Sequence, residues 1–188
     1  MILTRTVAPA SLPITLDEAK AQVRVTGSDE DTLLTARIAA ATDHLDGPTG
    51  ILGRAILQQT WTVDFSEWDD PLYLPIEPVQ SVAVTYTSAA GTTLTLADTE
   101  YDVLRSAGEA PSLRPKFGGA WPELGSARLP VRVTVVAGEA TAPEDIKAAI
   151  KMLVAHWYEH REAVGAGAMQ ELPLAVGALL ARHRRGLV

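Results

Sequence analysis

Between Pro143 and Val164 the chain reads PEDIKAAIKMLVAHWYEHREAV, and Ile146, Ile150, Leu153, Trp157 and Val164 fall on one side of it at helical spacing. Such a stripe needs a partner surface, because a helix cannot bury its own apolar face. The N-terminal residues supply the first candidates. Thr15-Leu16-Asp17-Glu18 has the form of a capping box and predicts a helix reaching Val25, closed by Thr26-Gly27. Ser28 predicts a second cap, with Asp29, Glu30 and Asp31 in a first turn where the helix dipole favours negative charge. Leu34, Ile38, Ala41 and Leu45 then recur on one face until Asp46-Gly47-Pro48 stops the pattern. The acidic run lacks the loop glycine and the closing glutamate of a calcium loop, so capping is its reading.

After Gly53 the texture becomes extended. Ile56 to Phe65, Leu72 to Ile76, Ser81 to Ser88, Thr92 to Leu96, Tyr101 to Arg105 and Val131 to Ala137 are rich in Val, Thr, Tyr and Trp and read as short strands. Ala89-Ala90-Gly91 makes a hairpin turn, and the prolines mark edges and loops. The expected architecture is α+β: an α-helical bundle formed by the N- and C-terminal helices, with an inserted small antiparallel β domain. Its parts are a helical 1–54, a β-rich 55–140, and 141–188 with the long helix and a tail.

A chain of 188 residues with 47% hydrophobic content can bury a substantial core. No apolar run approaches the roughly 20 residues of a membrane span, and the N-terminus lacks a signal-peptide layout, so the expectation is a soluble product that stays inside the cell, with no membrane partner. Cysteine is absent, which excludes disulfides, thiolate metal sites and a cysteine nucleophile. The net charge of −7 is uneven: residues 1–100 hold 14 acidic and 5 basic side chains, residues 101–188 hold 9 and 11. An acidic N-terminal part argues against general DNA-backbone binding.

His156-Trp157-Tyr158-Glu159-His160 has the form H-x-x-E-H. Histidines four apart project from one side of a helix, and Glu159 stands where an inverted zinc-hydrolase motif has its general base. A zinc-dependent hydrolase is therefore the enzymatic alternative. It needs a third ligand, and after His160 only Glu162 and Glu171 are carboxylates. Both histidines also suit the flank of a packing helix, which is the reading adopted, with no catalytic residue, metal or cofactor expected. There is no G-x-S-x-G, Walker loop or G-x-G-x-x-G. Trp61 and Trp157 read as core; Trp68 and Trp121, set among prolines and glycines, read as candidates for a subunit contact.

Several ordered pieces resemble the head–tail connector, or adaptor, proteins of tailed bacteriophages and phage-like gene transfer agents. They are Leu16 to Lys20 with the acidic Ser28 to Asp31; Gln59-Thr60-Trp61; Leu74-Pro75 with Ser81-Val82; Gly118-Gly119-Ala120-Trp121-Pro122; Val133 to Gly138; and Ile146 to Val164, ending in Glu171-Leu172-Pro173. The resemblance spans nearly the whole chain. It implies a structural adaptor in the virion or particle neck, assembled in the bacterial cytoplasm. It also implies a homo-oligomeric ring of about a dozen copies with closed symmetry, seated under the portal protein, joined to the next neck, stopper or tail protein, and lining the channel through which DNA passes without sequence-specific binding.

In that family the C-terminal part faces the portal. Carried onto this chain, the role falls to Leu174, Val176, Leu179, Leu180, Arg182, His183, Arg184 and Arg185, joined to the long helix by a Gly165-Ala166-Gly167-Ala168 linker. Apolar anchors beside cations suit docking into a groove. The same segment also reads as a terminal helix folded back on its own subunit, and its basic end as a solvated helix terminus.

Overall fold

The computed structural model describes residues 1–105, 109–160 and 174–185. The fold is α+β and divides into a β unit, residues 1–10 and 57–139, and a helical unit, residues 11–56 and 140–185. Val164, Glu162, the Gly165–Ala168 linker and Glu171 to Pro173 lie outside the described residues.

The strands of the β unit are β1 (Ile2–Val7), β2 (Gln59–Phe65), β3 (Leu72–Tyr73), β4 (Val79–Thr87), β5 (Thr93–Leu96), β6 (Tyr101–Leu104), β7 (Ser112–Pro115) and β8 (Val131–Ala137). Five form a sheet in the order β1-β2-β8-β4-β5 and three a second in the order β3-β7-β6, with every pairing antiparallel. Strand β8 sits in the middle, and its inward positions Val131, Val133, Val135 and Ala137 are all fully buried. Period-two alternation places them on one face. Val133 stands opposite Val63 on one side and Val84 on the other, so three buried valines make a cross-strand row.

Two strands fall outside the sequence reading. β1 is an edge strand whose residues are nearly all exposed, so it has no inside–outside alternation to read. β7 is four residues long and ends on Pro115. The expected strands at Ile56 to Phe65 and Leu72 to Ile76 are shorter, as β2 and β3. Leu74 and Ile76 are nevertheless fully buried, and the Leu74 N–H donates to the Pro111 carbonyl at 2.7 Å.

The helical unit contains α1 (Leu16–Val23), α2 (Asp31–Leu45), α3 (Glu144–Glu159) and α4 (Leu174–Ala181). The capping box of α1 is complete: the Glu18 N–H donates to Thr15 Oγ1 at 3.1 Å and the Thr15 N–H to Glu18 Oε2 at 2.7 Å. The helix ends earlier than Val25, on Arg24 in the left-handed region at φ 58°. Ser28 does not cap α2; the N-cap is Glu30, with no side-chain bond, and the Ser28 carbonyl accepts a turn bond from the Asp31 N–H. Asp31 instead pairs with Lys20 at 2.6 Å, tying α2 to α1. Leu34, Ile38, Ala41 and Leu45 of α2 are buried, as are Ile146, Ala149, Ile150, Leu153 and Val154 of α3. Helix α3 contacts α1, α2 and α4.

The capping box makes a measurable contribution. Thr15→Ala leaves the Glu18 N–H without its partner and is expected to cost about 1 kcal/mol in urea unfolding. The Thr15 N–H is the main cause that holds the Glu18 carboxyl below its usual range. The stability it adds is therefore present above the ordinary carboxylate pKa and is lost as the pH falls through the lowered value. Glu18→Gln should flatten that acid-side decline, measured by the same titration at a series of pH values.

Candidate functional site

On α3 the motif residues join helices. The Tyr158 hydroxyl bonds the Glu30 carboxylate at the start of α2, and the Trp157 ring meets His44 of α2 edge-on at 6.1 Å. Trp157 is half-buried, as is Trp61 on β2, so neither is the core residue expected of it. The indole of Trp61 donates to Gln59 Oε1 at 3.2 Å and lies 5.9 Å under the Arg5 guanidinium of β1. His156 and His160 have ring centres 4.6 Å apart. His160 follows the helix, and its Nδ1 is 3.0 Å from the His156 carbonyl oxygen. Among the described residues no group of three or more His, Asp or Glu side chains is gathered where it could hold a metal.

The tail residues split into two sets. Val176 and Leu180 are fully buried in the helical unit, and the Arg185 N–H donates to the Leu52 carbonyl at 2.8 Å. The Arg182 guanidinium pairs with Asp145 on the first turn of α3. His183 Nε2 lies 3.3 Å from the same carboxylate. Leu174 is 89% exposed, Arg184 is exposed, and Leu179 is half-buried. The surface that α4 leaves open is thus Leu174 and Arg184, with the outer side of Arg182 and part of Leu179.

Trp68 and Trp121 come together in the β unit, their rings stacked at 4.5 Å and only 8° from parallel. Each indole N–H bonds the other's loop: Trp68 donates to the Pro122 carbonyl at 2.9 Å and Trp121 to the Asp69 carbonyl at 3.0 Å. Both rings are half-buried, and Tyr86 of β4 backs the Trp68 ring at 6.1 Å. The pair therefore pins two loops that are far apart in sequence and leaves part of its aromatic surface open.

Sequence reasoning missed Phe117. It is fully exposed, at 106%, next to the Gly118-Gly119 turn already singled out. An open concavity of about 180 Å³ in the same unit is lined by Met1, Phe65, Ser66, Glu67, Asp69 and Tyr73. Nothing in the sequence marks these residues as neighbours, since Met1 reaches the loop after Phe65 only through the pairing of β1 with β2.

Comparison with known proteins gives a single direction. Residues 13–99 match a family model described as phage gp6-like head-tail connector protein. A structure of the neck of an empty gene transfer agent particle, computed with C6 symmetry, contains a chain that is 26% identical; the match covers 100% of this chain and 97% of that one, with a TM-score of 0.79. The likeness is to head–tail connector proteins. A virion of a native gene transfer agent matches at the same identity and coverage with a TM-score of 0.76, and a native neck computed with C12 symmetry with 0.71. No curated protein sequence matches the chain. Both descriptions are of connecting or neck parts of particles.

The link between Arg182 and Asp145 has a testable consequence for this connector-like chain. Asp145→Asn should weaken the attachment of α4 by about 0.5–1 kcal/mol, the range of a part-exposed ion pair. It would be read as faster amide exchange over residues 174–185, with the protection of α2 unchanged.

Proposed function

We propose that this chain is the structural adaptor of a phage or phage-like particle neck, forming a ring of about a dozen copies under the portal, around the passage for DNA. The observation that carries the reading is the full-length likeness to neck subunits of gene transfer agent particles, at a TM-score of 0.79. The C6 and C12 symmetries belong to those necks, and they support the same ring logic here. Copies related by rotation touch heterologously, so each must present two different complementary surfaces. The stacked Trp68 and Trp121 offer a rigid aromatic element of the kind that anchors such contacts.

Charge supports the passage of DNA. A subunit of net charge −7, repeated around an axis, makes a negative wall that repels the polyanion and does not grip it. Asp69, Asp70, Asp98 and Glu100 are exposed on the β unit.

For portal docking, the open side of α4 is the candidate. Leu174 supplies an apolar anchor and Arg184, with Arg182, the charge-assisted contacts. Val176 and Leu180 already serve the subunit's own core, so deleting residues 173–188 would damage the helical unit as well as any docking surface. Surface substitutions separate the two roles. Leu174→Ser with Arg184→Glu should leave the melting temperature within about 1 °C, as exposed substitutions do, while reducing co-sedimentation with the portal protein at least about tenfold. Unchanged portal binding by that variant would remove α4 from the interface.

A further inference from the structure

The five-stranded sheet ends on two unlike edges. β1 pairs only with β2, and β5 only with β4, so each turns one row of backbone N–H and C=O groups away from the sheet, a template for a further strand. The N-terminal part of β4, which β5 does not reach, is closed by side chains instead: the Tyr101 hydroxyl donates to the Val82 carbonyl and the Arg105 guanidinium to the Gln80 carbonyl, both at 3.2 Å. β1 has no proline or lysine to block its edge, and its one break in register falls after Arg5.

The two edges match in direction and in side chains. Four antiparallel pairings separate β1 from β5, so both strands run the same way, and a copy that continues the sheet sets its β1 parallel to β5. On the inward face one row, Leu3–Val63–Val133–Val84–Leu96, crosses the sheet from edge to edge. When Leu3 of a second copy stands beside Leu96, the two-residue period of both strands brings Met1 beside Leu94 and Arg5 beside Asp98, in the turn after β5. Met1 is 66% and Leu94 44% exposed, and Arg5 and Asp98 are exposed as well. The Arg5 guanidinium lies over Trp61, which keeps it on the face that Leu3 shares. A single register thus covers the exposed apolar side chains of both edges and sets a cation against an anion. An unrelated strand would satisfy the backbone without this match.

We infer that β1 of one copy pairs in parallel with β5 of the next, with Leu3 beside Leu96 and Arg5 facing Asp98, so that the β units join into one continuous sheet around the ring. The inference rests on the ring reading, and supplies the two unlike, complementary patches that a heterologous contact requires.

The chain contains no cysteine, which makes a clean test possible. In this register Ile2 and Thr95 stand side by side on the opposite face, and both are exposed. Full-length Ile2→Cys and Thr95→Cys are prepared separately, mixed, allowed to assemble and treated with a short bis-maleimide; mass photometry of untreated protein records the assembly state. A dimer linked between positions 2 and 95, at least about tenfold more abundant in the mixture than any linked dimer of either variant alone, is the expected result. Arg5→Glu and Asp98→Arg should each weaken self-association about tenfold, and the two together should restore it. Rings that form without the 2–95 link overturn this joint and leave the ring reading intact. A dimer of Ile2→Cys alone, linked through position 2 of both copies, overturns it in favour of a twofold contact. A link from Ile2→Cys to a different neck protein overturns it too, giving the β1 edge to a strand of that partner. A chain that never self-associates, and is absent from particle necks, overturns both readings.

Discussion

The helical unit depends on one stripe of α3. Ile146, Ala149, Ile150, Leu153 and Val154 are at or near complete burial, and α1, α2 and α4 all pack on this helix. Removing a large aliphatic side chain from such a site costs about 2–5 kcal/mol, a large share of the stability of an ordinary domain. What lies at the edges of the stripe is then fixed by it: Tyr158 meets Glu30, Trp157 meets His44, and Asp145 receives Arg182. Within the H-x-x-E-H stretch it is the intervening Trp157 and Tyr158 that reach α2.

The β unit follows a different logic. Its core is organised around β8, whose buried valines are sandwiched between β2 and β4. With that core closed, the loops at its margins are free to carry features that have no use within a single subunit. The exposed phenylalanine is of this kind. A structural adaptor works through surfaces, and its function lies in residues that folding alone would not demand.

Much of the fold was legible because its signals are local. The α1 capping box, the apolar faces of α2 and α3 and the alternation in β8 each appear within a few consecutive residues, and the α+β class follows from them. Ser28 misled because an acidic run after a serine looks like a cap even where the helix begins three residues later, at Asp31. β1 was missed because an exposed edge strand carries no alternation. Trp61 and Trp157 read as core in the sequence, but an indole can cover apolar surface while keeping one edge in water, and both are half-buried.

The candidate site was legible in kind but not in geometry. Trp68 and Trp121 were picked out singly from their proline- and glycine-rich settings, yet their stacking joins loops far apart in the chain, and no local pattern encodes it. The tail was read with two alternatives open; α4 rests on the helical unit through Val176 and Leu180 and keeps Leu174 and Arg184 outside, so a folded-back helix can still present a docking face. Phe117 was passed over because an aromatic beside Gly-Gly looks like ordinary turn composition until its exposure is known.

The most direct measurement is electron cryomicroscopy of the neck of the particle that carries this chain. The account predicts density for a closed ring of about a dozen copies between portal and distal neck, each with the α+β fold described and the Leu174–Arg184 side of α4 toward the portal. A complete neck in which this chain has no density would contradict it.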